Sequence, residues 1–137
     1  MGKFGIGQPV SRFEDPKLLQ GKGRYVDDVT LPHQARAFVL RSPVAHAVIK
    51  SINVEESRKA PGVLLVLTGE DVAERGLGTP RPMMPQKRPD GSDAFIRPQP
   101  LISKDRVRFV GDNLAFIVAE TLSQAKDAAE LIDVEFD

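Results

Sequence analysis

The sequence has no cysteine, only two histidines and no excess of charge of either sign. The missing thiol excludes disulfides, thiolate metal sites, cysteine-ligated iron–sulfur clusters and a cysteine nucleophile together, a pattern compatible with the cytosol. Nineteen basic residues balance nineteen acidic ones, so no net field steers the chain onto nucleic acid or an anionic membrane. No apolar run approaches the roughly 18 residues that a membrane span requires. The opening Met1-Gly2-Lys3-Phe4-Gly5 leads into polar sequence without the apolar core of a signal peptide. A cytoplasmic protein with no nucleic-acid partner and no membrane span is the expectation.

What is present is enough for one domain with a real core: 137 residues, 41% of them hydrophobic. The most legible stretch runs from Phe109 to Asp137. Leu114 to Ala119 is uninterrupted apolar sequence between the turn formers Gly111-Asp112-Asn113 and the polar pair Glu120-Thr121, which predicts a strand buried on both faces. Thr121 and Gln124 have the spacing of a capping box, in which each side chain satisfies an orphan backbone N–H of a helix's first turn. Leu122, Ala125, Ala129 and Ile132 then share one helical face, and the small alanines let that helix lie close to a sheet. Ile132, Val134 and Phe136 alternate with Asp133, Glu135 and Asp137, the period of a half-buried strand.

Upstream, the aromatic and β-branched content of Gln34 to Arg41 predicts a strand that ends at Pro43. His46 to Val54 predicts a second strand, antiparallel to the first or bending away from it, because the interval is too short for a crossover helix. Glu55 to Ala60 predicts a short helix stopped by Pro61-Gly62. Val63 to Leu67 is another apolar run, read as buried, with a short helix capped around Thr68 after it. Residues 76–100 hold six of the eleven prolines, which rules out a continuous helix or a central strand and leaves a long loop with a tight turn at Asp90-Gly91. Leu101, Ile102, Arg106 and Val107 predict a short strand leading back to the Phe109 stretch. Before residue 34 the chain reads as an ordered arm with one helical turn at Pro16 to Leu19. Paired strands with few helical crossovers give an α+β class rather than a doubly wound sheet. The expected architecture is a single domain over 1–137, a mixed sheet carrying the C-terminal helix, with an arm over 1–33 and the proline-rich loop over 76–100.

No catalytic constellation stands out. The pairs Gly5/Gly7, Gly21/Gly23 and Gly76/Gly78 lack the third glycine and strand-to-helix setting of a dinucleotide fingerprint, and read as turn glycines. His33 and His46 have no partner cysteine for a metal site, and Ser42 has no nucleophile elbow around it. The neighbours Glu14-Asp15, Asp27-Asp28 and Glu55-Glu56 project apart and read as solvated charge. Arg81, Lys87, Arg88 and Arg97 give the long loop a basic character, but without aromatic platforms it reads as a solubilising surface.

Four segments in order nevertheless resemble a known family. They are Gly21-Lys22-Gly23-Arg24-Tyr25-Val26-Asp27-Asp28; Arg41-Ser42-Pro43-Val44-Ala45-His46-Ala47-Val48-Ile49; Ala60-Pro61-Gly62-Val63 through Thr68-Gly69-Glu70-Asp71-Val72; and Pro100-Leu101 through Val107-Arg108-Phe109-Val110-Gly111-Asp112 with the closing helix. Together they are similar to the start of the molybdenum-binding large subunit of the xanthine dehydrogenase, aldehyde oxidase and carbon monoxide dehydrogenase family, with Asp112-Asn113 favouring the carbon monoxide dehydrogenase-like branch.

The resemblance implies an α/β-hammerhead fold. It also implies membership in an enzyme that hydroxylates a substrate carbon with water-derived oxygen, passing electrons from a molybdopterin-bound metal through iron–sulfur clusters, usually to a flavin (FAD). In that family the pterin-binding segments and the essential glutamate lie beyond the hammerhead. The chain is accordingly expected to be a non-catalytic scaffold fragment that binds no cofactor or metal itself. Its expected partners are the rest of the large subunit and the iron–sulfur and flavin subunits. The resemblance places part of the family's substrate-channel wall near Phe95 and Ile96, just before the segment Pro100 to Asp105, which makes them channel-wall candidates; the structural alternative is two apolar residues that pin the loop to the core. His46 is expected to hold a strand corner. The alternative is a free-standing binding or subunit-assembly module that uses the 76–100 loop.

Overall fold

The computed structural model describes Gly7 and residues 11–80, 86–96 and 99–137. Two compact units are present, Met1–Pro32 and His33–Asp137. In the first, α1 (Asp15–Leu19) starts with Pro16 in its first turn, and a 3-10 turn follows at Val26–Asp28. Neither element has a buried residue.

The second unit contains β1 (Arg36–Arg41), β2 (Ala47–Asn53), α2 (Glu55–Lys59), β3 (Val63–Thr68), α3 (Gly69–Glu74), β4 (Arg106–Val107), β5 (Asn113–Ala119), α4 (Leu122–Glu130) and β6 (Asp133–Phe136). The expected mixed sheet resolves into two three-stranded sheets, ordered β1-β5-β3 and β4-β2-β6. Every pairing between these strands is antiparallel. Helices segregated from antiparallel sheets are the α+β arrangement that the sequence predicts. Of the two possibilities for the second strand, the chain takes the bend: β2 pairs with β4 and β6 and not with β1.

β5 lies at the centre of its sheet, as its apolar run predicts. Its residues Ala115, Ile117 and Ala119 are fully buried and belong to the larger core cluster, with Val54, Val66, Ile132 and the alanines of α4. α4 carries the expected capping box: Gln124 N–H donates to Thr121 Oγ1 at 3.2 Å, and Thr121 N–H donates to Gln124 Oε1 at 2.9 Å. Of the predicted face, Ala125, Ala129 and Ile132 are buried, joined by Ala128, and only Leu122 falls outside it. Leu122 is 45% exposed, while Ala125, Ala128 and Ala129 are buried, the i, i+3, i+4 face of a helix. Methyl-sized side chains there let the helix axis approach the sheet closely. A smaller cluster of Ala47, Val107 and Leu114 joins the second sheet to the first.

β3 departs from expectation. It is an edge strand, not one buried on both faces, and a register shift between Val63 and Leu65 leaves Leu64 58% exposed. Thr68 ends β3 and caps α3 in a second box: Asp71 N–H reaches Thr68 Oγ1 at 3.4 Å, and Thr68 N–H reaches Asp71 Oδ2 at 2.8 Å. Burial raises the Asp71 carboxyl, but the hydrogen bonds from Thr68 and the nearby charges of Arg58 and Arg75 outweigh it, so its pKa falls below the ordinary value. Gly69 follows because nothing larger fits: a Cβ there would lie 2.5 Å from the Ser103 carbonyl oxygen and 2.8 Å from Lys104 Cα.

Leu101 and Ile102 form a bend rather than a strand, and pairing begins only at β4. In the described part of the 76–100 loop the one strand-like contact is an isolated bridge between Lys87 and Asp93, which are also ion-paired, around the Asp90-Gly91 turn. Arg81 and Arg97 lie outside the described residues.

Two predictions follow from α3. Gly69→Ala must displace backbone, so it should lower stability by about 1–3 kcal/mol in urea unfolding, whereas Gly78→Ala, with nothing within 4 Å, should change it by less than about 0.5 kcal/mol. Because the folded Asp71 pKa is depressed, its contribution is complete above the ordinary carboxylate pKa of about 3.9 and is lost as pH falls below it. The wild-type urea midpoint should therefore fall more steeply than that of Asp71→Asn between about pH 5 and pH 3. Parallel curves would contradict this reading of the cap.

Candidate functional site

Most of the polar side chains that combine burial with defined geometry gather where the β1–β2 corner meets the turn before β5. Asp112 is 6% exposed and Ser42 is 3% exposed. The Asp112 carboxylate accepts the Arg108 and Asn113 backbone N–H groups, each at 3.1 Å. Two backbone bonds lock turn to corner, Ser42 N–H to the Asp112 carbonyl and Gly111 N–H to the Ser42 carbonyl, both 2.8 Å. Ser42 Oγ donates to the Val44 carbonyl at 2.8 Å, which satisfies the hydroxyl and fixes the turn around Pro43. A hydroxyl engaged in this way, with no base beside it, is structural.

Arg41 extends the junction, donating to the Gly111 carbonyl at 3.0 Å and to Asn113 Oδ1 at 2.9 Å. Asn113 Nδ2 then donates to the Leu101 carbonyl at 2.9 Å, and Ser103 N–H donates to the Asn113 carbonyl at 2.7 Å. Gly111 has φ 91°, a left-handed conformation that a side chain would strain. Residues far apart in the sequence thus hold three segments in one place, among them the segment that follows the long loop.

His46 sits at the same corner, with Nε2 3.4 Å from Arg106 Nη1. His33 is not beside it in the sheet; it lies just ahead of β1 with φ 57°. Phe95 and Ile96 follow the Lys87–Asp93 hairpin and are 80% and 42% exposed. Neither enters a core cluster, so they do not pin the loop to the core. Among the described residues, no group of three His, Cys, Asp or Glu side chains is placed to hold a metal ion, and no helix is long and apolar enough to cross a membrane.

Sequence reasoning found Arg41, Ser42 and Asp112 only as parts of a motif. Their hydrogen bonds, Ser42 to Asp112 through the backbone and Arg41 to Gly111 and Asn113, come from the fold, because they join residues about 70 positions apart, as the 70-residue separation of Arg41 and Gly111 illustrates.

Comparison with known proteins agrees with this arrangement. The family described as aldehyde oxidase and xanthine dehydrogenase, a/b hammerhead domain, matches residues 20–137. The nicotine 6-hydroxylase large subunit of Paenarthrobacter nicotinovorans is 37% identical over 96% of this chain and 15% of its own length. The carbon monoxide dehydrogenase large chain of Afipia carboxidovorans is likewise 37% identical, over 97% of this chain and 15% of its own. Among solved structures, quinoline 2-oxidoreductase from Pseudomonas putida superposes with a TM-score of 0.81 at 42% identity, covering 96% of this chain and 16% of that one. A carbon monoxide dehydrogenase from Oligotropha carboxidovorans gives 0.75 at 35% identity, covering 97% and 15%. The chain thus spans about 15% of the length of the relatives that it matches.

Removing the carboxylate that organises the junction should be costly. Asp112→Ala strands two backbone N–H groups and should lower stability by about 1–3 kcal/mol in urea unfolding. A change below about 0.5 kcal/mol would mean that the corner holds without it.

Proposed function

The chain belongs to the aldehyde oxidase and xanthine dehydrogenase a/b hammerhead domain family, and on that premise we propose that it is a non-catalytic scaffold domain of a molybdenum hydroxylase large subunit. The supporting observation is the asymmetry of coverage: relatives match almost all of this chain, while it spans only about 15% of each of them. On this reading residues 1–137 work as one domain, with the arm over 1–33 and the loop over 76–100, packed on a pterin-binding remainder in the cytoplasm. The iron–sulfur and FAD groups belong to partner subunits or domains.

The chain's own side chains are suited to positioning. The hydroxyl, carboxylate and guanidinium of the junction satisfy backbone groups, Arg41 the Asn113 side chain as well, and the described residues gather no group of three His, Cys, Asp or Glu side chains for a metal. No step of chemistry is assigned to them. Phe95 and Ile96 are proposed to border the substrate channel. Their exposure leaves apolar surface free to line a passage completed by the remainder, and the Lys87–Asp93 hairpin presents it. The alternative, a free-standing assembly module, draws on the same exposed loop but leaves the one-sided coverage unexplained.

The test is to express the polypeptide that completes the large subunit separately from this chain, mix the two, and measure complex formation and molybdenum content. The expected result is a stable complex in which the metal stays with the completing polypeptide and the isolated chain binds no molybdopterin. Stoichiometric molybdopterin on the isolated chain, or no complex at all, would overturn the scaffold assignment.

A further inference from the structure

Within the His33–Asp137 unit, the β1-β5-β3 sheet has two faces of unequal fate. Ala115, Ile117 and Ala119 of β5 point into the core under α4. The opposite face follows from the strand register. Val39 pairs with Phe116, Ala37 with Val118, Leu65 with Val118 and Leu67 with Phe116, and paired residues of an antiparallel sheet share a face. None of these six residues belongs to either core cluster or to its partly buried margin.

Composition sharpens the point. An antiparallel sheet with one wet face alternates apolar and polar residues, whereas near-continuous apolar runs belong to sheets covered on both sides. β5 reads Leu114-Ala115-Phe116-Ile117-Val118-Ala119 and β3 reads Val63-Leu64-Leu65-Val66-Leu67, without a charge between them. The sequence is that of a doubly covered sheet, yet among the described residues the core clusters cover the second face only at Leu114, leaving Ala37 and Leu65 exposed and Val39, Leu67, Phe116 and Val118 half-buried.

The geometry points to the Phe116–Val118 face as the docking surface for the remainder of the large subunit, an apolar and uncharged partner surface on the completing polypeptide. This rests on the scaffold reading and deepens it. Two observations select that occupant over others. The relatives extend for roughly 85% of their length beyond the region shared with this chain, the complement of the 15% that it spans. A face with no charge among its six residues also has the character of a permanent interface, since obligate contacts are more apolar than transient ones.

The test uses the whole chain together with the completing polypeptide. Val118→Glu and Leu65→Lys place a charge on the face, with Lys126→Glu on the exposed side of α4 as control. Both face variants should weaken the complex by about a hundredfold or more, the control should bind like wild type, and all three should keep the circular dichroism of the wild-type chain. Face variants that bind as tightly as wild type would overturn this inference and leave the scaffold reading standing. A wild-type chain that forms no complex would overturn both. Should a face variant fail to fold, hydroxyl-radical footprinting of the wild-type pair decides: oxidation of Leu65, Phe116 and Val118 should drop on complex formation, and unchanged oxidation refutes the surface. Concentration-dependent dimerisation of the isolated chain that Val118→Glu abolishes would assign the face to a second copy instead, and also refutes it.

Discussion

The structure depends on one strand. β5 is hydrogen-bonded to β1 on one side and β3 on the other, and its Ala115, Ile117 and Ala119 are fully buried. Its N-terminal end is held by the Asp112 junction, and its C-terminal end passes directly into the Thr121 cap of α4. Any element shifted relative to β5 must break ladder bonds or leave a gap against the alanine stripe, where no long side chain can flex to fill it. The second sheet inherits its position from the same place through Leu114, which packs with Ala47 and Val107.

This explains what the sequence makes legible. The apolar run of β5, the Thr121–Gln124 box and the cap at Thr68 are local signals, each set by residues within a few positions of one another, and each has the predicted form. The misjudged features are governed by non-local pairing. Val63 to Leu67 carries the same apolar signal as β5, but its place at the sheet edge depends on which strand takes the centre, and composition does not encode that choice. The bend that sends β2 to a second sheet, one of two possibilities that the sequence leaves open, likewise coincides with the Ser42–Asp112 contact, between residues distant in sequence. Leu122 fits a helical face on paper, yet the stripe that packs begins at Ala125. At the candidate site, the sequence singles out Phe95 and Ile96 only through resemblance, because exposed apolar loop residues have no periodic signature.

The functional picture follows from where order is concentrated. Hydrogen-bonded groups and the buried Asp112 carboxylate brace the segments flanking the loop, while the loop's own described residues are held by little more than the Lys87–Asp93 bridge and the turn within it. A frame that presents an exposed hairpin and a half-buried apolar sheet face is suited to being one layer of a larger assembly. On the proposed reading its role is to fix geometry, and chemistry is left to segments that lie beyond it.

The central claim is that the β5 frame is self-sufficient while the loop depends on the rest of the subunit. Hydrogen exchange of this chain, alone and in complex with the completing polypeptide, tests it most directly. The account predicts that amides of residues 114–119 are the slowest to exchange in both states, and that residues 86–96 exchange rapidly alone and become protected only in the complex. Strong protection of residues 86–96 in the isolated chain, or fast exchange along β5, would contradict it.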